Sequence, residues 1–243
     1  MRNYQRSSKR LFTDFDGPLM DVSERYYQVY LYCLHQVRLP QQPIVQMSKE
    51  EFWSAKRAQV PEWKIGWESG LTLPGQAEDF ARLRSETVHS PLFFQYDRLH
   101  DFAIPALEKL QEHGFDLAVM TMRRQKELYP VLNHFNLGRF FATDRIFCLR
   151  DDYKKRGDTK DKPQLMEKAI ATLPPVEEQW IVGDTEADII AGKRFRVKTI
   201  GILSGIRNEY QLRLHQPDRI KADLREVVAE LTGDAIYNKI GAL

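Results

Sequence analysis

The chain is poor in cysteine. Cys33 and Cys148 are the only thiols in 243 residues. They lie far apart in apolar stretches, with no second thiol or histidine at metal-ligand spacing. That excludes a disulfide scaffold or a cysteine–histidine metal site, and both are expected as buried, reduced thiols. Long hydrophobic runs are also missing, so no membrane partner is expected. The opening MRNYQRSSKR is basic but polar, without the apolar stretch of a signal peptide, which points to a cytoplasmic protein. An excess of one charge is absent too: 36 Lys and Arg stand against 34 Asp and Glu. The basic residues are scattered, in runs such as Arg123-Arg124 and Lys154-Lys155-Arg156 that read as solvated surface, so nucleic acid is not an expected partner. His89, His100, His113, His134 and His215 share no pattern and read as structural or surface residues. There is no internal repeat and no low-complexity segment. Nothing in the composition speaks to oligomeric state.

What is present is alternation. Short apolar runs rich in β-branched residues occur at RLFTDF (10–15), FDLAVMT (115–121), RIFCLR (145–150), QWIVGD (179–184) and VKTIGIL (197–203). Helical spacings separate them, as in Leu128, Leu132 and Phe135, or Leu165, Met166, Ala169, Ile170 and Leu173. Strands too apolar to alternate, with helices between, predict a parallel sheet buried on both faces. The expected fold is therefore α/β, a Rossmann-like parallel sheet of at least five strands.

Residues 20–96 differ. Val22, Tyr26, Val29, Cys33 and Val37 recur at helical spacing behind Asp21 and Glu24, a capping-box-like start. Ser48 with Glu51 repeats that signature, and a third helix is expected over about 76–89. The segment is thus a small all-helical insertion, dividing the chain into a core of 1–19 and 97–243 and a helical unit of 20–96. Within it, KRAQVPEWKIGWESG (56–70) reads as a loop between helices.

In open sheets of this kind the ligand sits beyond the carboxyl ends of the strands. Those ends carry Asp14 and Asp16, expected to point the same way by strand periodicity; Thr121; and Asp184, with Asp188 a helical turn beyond. Lys162, next to Pro163, opens a helix after the third strand, with Lys160 as its rival. Two acidic strand ends, a hydroxyl and a lysine suit phosphoryl transfer. Asp14 can attack phosphorus and form an aspartyl-phosphate. An anion attacking a dianion needs a divalent cation, and Mg2+ with its hard oxygen ligands fits Asp14, Asp184 and the backbone carbonyl of Asp16. The Asp16 side chain would serve as general acid and then base. Lys162 and Thr121 would hold phosphoryl oxygens. Asp188 would orient Lys162 or a water, or simply favour its helix start.

DFDGPLMD, VMTMR, KPQLMEKA and VGDTEADIIAGK resemble, in that order, the four motifs of the haloacid dehalogenase-like hydrolases. The resemblance covers about 9–21 and 98–204, and makes the insertion that family's helical cap. Because Asp16 keeps the second acid of the first motif, it implies the phosphatase branch, similar to phosphoglycolate phosphatases and phosphomutases. The implied activity is Mg2+-dependent hydrolysis of a small phosphate monoester, a phosphosugar or phosphorylated small acid. A phosphomutase of the same build, or a silent binding or regulatory relative, are the alternatives. The chain departs from the family at Pro18, where Thr or Val is usual; proline removes an N–H and implies an altered loop. In the cap, Arg57, Lys64 and Trp67 are candidate substrate contacts, while Trp63 and Trp67 could equally be cap core.

Overall fold

The computed structural model describes residues 9–234; the basic segment through residue 8 and residues 235–243 lie outside them. The described strands are β1 (Lys9–Thr13), β2 (Met20–Asp21), β3 (Arg98–Leu99), β4 (Phe115–Arg124), β5 (Ile146–Leu149), β6 (Glu178–Gly183), β7 (Lys198–Ile202) and β8 (Arg219–Lys221). Helices α1 (Ser23–Val37), α2 (Lys49–Arg57), α3 (Glu62–Glu68) and α4 (Gln76–Thr87) form the insertion. The remainder are α5 (Ala103–Glu112), α6 (Gln125–His134), α7 (Asp158–Thr172), α8 (Glu186–Arg194), α9 (Glu209–Arg213) and α10 (Leu224–Thr232).

Six strands make one parallel sheet in the order β5-β4-β1-β6-β7-β8. β8, too short and too polar to read as a strand, is the sixth beyond the five expected. Each central strand sends alternate residues to opposite faces. Leu11, Val119 and Val182 pack with Leu107, Leu128 and Val227 from α5, α6 and α10. Phe12, Met120 and Ile181 pack with Met166 and Ala191 from α7 and α8. Both faces are therefore buried, which is why these strands lack polar alternation. From β1 the chain proceeds to β4 and β5 on one side, whereas β6 leads to β7 and β8 on the other. The switch point falls between β1 and β6, and Asp14 and Asp184 follow those two strands directly.

The insertion leaves and re-enters the core through β2 and β3, an antiparallel pair matching Met20 with Leu99 and Asp21 with Arg98. Its helices enclose their own core of Val29, Tyr30, Phe52, Ile65 and Phe80, with Tyr30 and Phe52 stacked at 4.7 Å. The Ser48–Glu51 capping box forms as expected, each side chain taking the other's backbone N–H. The expected box at α1 does not: its N-cap is Val22, which makes no side-chain cap bond, and Asp21 accepts from the N–H of Ser23. The segment 56–70 is not simply a loop, because α3 lies within it. Cys148 is only partly buried, unlike Cys33. No helix among the described residues is long and apolar enough to cross a membrane.

Phe12 is fully buried at the centre of the sheet. Phe12→Ala should cost about 3–5 kcal/mol, read as a lowered urea midpoint with little change in slope.

Candidate active site

β1 ends at Thr13, one residue before the acids. The N–H of Asp14 still bonds to the Val182 carbonyl at 2.8 Å, anchoring it to β6. The chain then turns: the Leu19 and Met20 amides donate to the Phe15 carbonyl, and the Gly17 amide donates to that of Met20. None of these bonds needs an N–H at residue 18, so Pro18 sits in the turn at no cost in donors. Strand periodicity no longer applies past Thr13, and the two acids diverge rather than pointing the same way. Asp14 turns to Lys162, while Asp16 turns to Arg25 and Arg123.

Asp14, Asp184 and Asp188 each offer a carboxylate oxygen, all within 4.8 Å of one another and all buried. Lys162 is 1% exposed and its ammonium bonds Asp14 and Asp188 together. Its rival Lys160 is exposed. Asp188 is doubly used: one oxygen faces Lys162, the other accepts from the amide and hydroxyl of Thr185 and so caps α8. Asp184 accepts from the Ile206 amide at 2.6 Å. Thr121 is buried and accepts from the Arg123 amide at 3.2 Å. β4 does not end there but runs on to Arg124, with a register shift against β5 between Met120 and Arg124. Such irregularities re-aim side chains beside sites.

Two glycines make room for Asp184. Gly17 has φ +89°, and a Cβ there would lie 2.4 Å from the Asp184 Cγ. A Cβ on Gly205 would lie 1.9 Å from an Asp184 carboxylate oxygen. These acids are gathered against their own electrostatics. Burial, aided by the neighbouring Asp188, raises Asp184 to about 7. Asp14 is likewise raised, by burial first, against the pull of Lys162. Three buried carboxylates facing one ammonium leave negative charge uncompensated, and their hard oxygen donors suit Mg2+.

Asp16 has the opposite environment. Burial works against its charge, but Arg123 and Arg25 hold it down at about 2. Arg123 Nε donates to one Asp16 oxygen at 2.8 Å and Arg25 Nη2 to the other at 3.0 Å. Asp97 closes the group, 2.9 Å from Arg25 Nε and 2.5 Å from Arg123 Nη2. The Asp16 side chain thus does not join the acidic cluster, and Asp188 stands there with Asp14 and Asp184 instead.

Asp14, Asp16, Thr121, Lys162 and Asp184 line one cavity of about 90 Å³. Arg57, Lys64 and Trp67 do not. Arg57 donates instead to the carbonyls of Leu203 and Arg207 at 2.9 and 3.3 Å, tying the helical insertion to the sheet's loops. Lys64 pairs loosely with Glu68 at 3.8 Å. Trp63 and Trp67 are each about half exposed, so neither is cap core. The cavity walls also carry Arg123, His89 and Lys155, which sequence reading placed among surface or structural residues. Arg123 is 1% exposed. Its position two beyond Thr121 on a strand was the available signal, since such residues share a face.

Gly205→Ala should displace Asp184, lowering Mg2+ affinity in calorimetry by about tenfold or more while far-ultraviolet circular dichroism stays unchanged. The raised Asp184 also makes a pH prediction. Its folded value lies above the ordinary 3.8, so between there and about 7 the metal-free folded chain holds a proton that the unfolded chain releases. Stability contributed by that proton is lost as pH rises through the window. Wild type should therefore lose melting temperature relative to Asp184→Asn over that range, and saturating Mg2+ should shrink the difference.

Residues 11–202 match the family described as haloacid dehalogenase-like hydrolase. Pyrophosphatase PpaX of Halalkalibacterium halodurans is 32% identical over 151 residues, 60% of this chain and 66% of that protein. A "Probable phosphoglycolate phosphatase" of Pseudomonas putida is 25% identical over 50% of this chain and 47% of its own. Neither alignment reaches two thirds of the relative's length. In shape, the chain resembles a haloacid dehalogenase-like family hydrolase from Streptococcus pneumoniae, with a TM-score of 0.66 at 18% identity over 93% of this chain and 99% of that one. With the family match spanning most of the chain, and with the sheet and acidic strand ends in place, the protein belongs to the haloacid dehalogenase-like hydrolases.

Proposed function

We propose that the protein is a Mg2+-dependent phosphatase acting on a small phosphorylated metabolite through an aspartyl-phosphate on Asp14. The observation that carries this is the meeting of Asp14, Thr121, Lys162 and Asp184 at one cavity, with Asp188 behind Lys162. An Asp14 oxygen attacks phosphorus, the P–O bond to the leaving group breaks, and phospho-Asp14 forms. Lys162, raised above its ordinary value by Asp14 and Asp188 despite burial, stays protonated and can hold a phosphoryl oxygen beside the Thr121 hydroxyl. Water then attacks phosphorus, the P–O bond to Asp14 breaks, and phosphate leaves. Asp16 would take that water's proton. To give a proton to the leaving oxygen in the first half it must first loosen from Arg25 and Arg123 and take up a proton from solvent. Asp14, Asp184 and Asp188, with the Asp16 carbonyl, would hold Mg2+, which would supply positive charge against the crowded anions.

Residues 1–19 and 97–243 would carry this chemistry, and the 20–96 cap would cover it and exclude water. The relatives named for pyrophosphate and phosphoglycolate support small phosphorylated substrates.

Phosphate release from a panel of small phosphorylated compounds, with Mg2+ and with chelator, tests the proposal. Turnover should require the metal and fall about 10³-fold or more in Asp14→Asn. Metal-independent release, or an active Asp14→Asn, would overturn it.

A further inference from the structure

The acidic cluster and Lys162 occupy only part of the cavity. Elsewhere its wall carries Arg123, His89 and Lys155, none of which has been given a contact with the transferring phosphoryl group, although Arg123 holds Asp16. Arg123 spends two of its three nitrogens on Asp16 and Asp97. Its ring neighbours Phe15 and Phe94, 5.0 and 5.3 Å away, fix the guanidinium plane. The third nitrogen, Nη1, is buried and has no hydrogen-bond partner. His89 lies between α4 and β3, on the leg of chain returning from the cap, and its Nδ1 is also buried without a partner. Lys155 is exposed. A buried polar nitrogen left unpaired costs about 1–3 kcal/mol, and two on one wall of one cavity point to an absent partner, an acceptor in the case of the Arg123 donor.

We infer that Arg123 Nη1 and His89 Nδ1, with Lys155 beside them, form a subsite for a second anionic group on the substrate's leaving portion. This rests on the phosphatase reading for its substrate and sharpens the class: a small molecule carrying a phosphoryl group and, a few atoms away, a carboxylate or another phosphoryl group. Burial and the cations Lys155 and Arg25 keep His89 neutral, with a value of about 3, so it serves as a hydrogen-bond partner rather than a charge. Positive charge on this wall comes from Arg123 and Lys155. Asp16 and Asp97 fix the orientation of Arg123, so the group that positions the general base also positions the anion site.

The test is calorimetric titration of the full chain, in excess Mg2+, with methylphosphonate, phosphonoacetate and methylenediphosphonate. None of the three is a phosphate ester, so binding is read without turnover. In wild type at least one two-anion probe should bind about tenfold or more tightly than methylphosphonate. Which one does so tells whether the second group is a carboxylate or a phosphoryl group. His89→Ala and Arg123→Lys should each lose most of that advantage; Arg123→Lys keeps the charge but not a planar three-nitrogen donor. If Arg123→Lys does not fold, His89→Ala alone decides. Equal binding of all three probes by wild type, or an advantage retained in His89→Ala, would overturn the inference. A two-anion preference in a protein that hydrolyses nothing would support this subsite while sinking the phosphatase reading.

Discussion

Lys162 is the contact on which the site depends. It is buried beside three carboxylates that would otherwise repel one another in a poorly solvated space, and it holds two of them at once. Desolvating charges costs several kcal/mol each, so such a group persists only if the surrounding frame fixes it. The frame here is the sheet. Asp14 is bonded through its backbone to β6, Asp188 caps α8, and Asp184 is held by the Ile206 amide and fitted between Gly17 and Gly205. Loss of any one support leaves the others holding uncompensated charge.

A second charged group stands next to the first and has the opposite balance. Arg25, Arg123, Asp16 and Asp97 pair two guanidinium groups with two carboxylates, so Asp16 is held firmly ionised while Asp14 and Asp184 are pushed toward protonation. Acids two residues apart in sequence thus acquire opposed proton affinities from their neighbours alone. Arg25 comes from α1, the first helix of the insertion, Asp97 from the insertion's end, and Asp16 and Arg123 from segments at the sheet. The group therefore joins the insertion to the sheet at the cavity wall, with the Arg57 bonds to Leu203 and Arg207 as a second tie.

Much of this was legible beforehand, for definite reasons. The five long strands showed as apolar runs because both sheet faces are buried, and the placement of Asp14, Thr121, Lys162 and Asp184 at one cavity follows from parallel strands sharing a carboxyl end. The Ser48 cap was legible because a capping box is local. β8 was not: three residues reading RIK become a strand only by pairing with β7. Arg57 looked available for substrate because nothing local reveals that its guanidinium is taken by carbonyls some 146 and 150 positions along the chain. Arg123 looked like surface because a basic pair usually is, and its partners Asp16 and Asp97 lie on other segments.

The sequence by itself determined the family, the parallel-sheet core with its helical insertion, and that Asp14, Thr121, Lys162 and Asp184 would meet at one cavity. Those properties are written in short-range patterns: apolar runs, caps and motif spacing. The tertiary structure alone decided where each charge points. It split Asp14 from Asp16, brought Asp188 into the acidic cluster and turned Arg57 to the core. It also left nitrogens of Arg123 and His89 buried and unpaired on the cavity wall. The reason is physical: the direction and proton affinity of a buried charge are set by partners distant in sequence, and no local pattern specifies them.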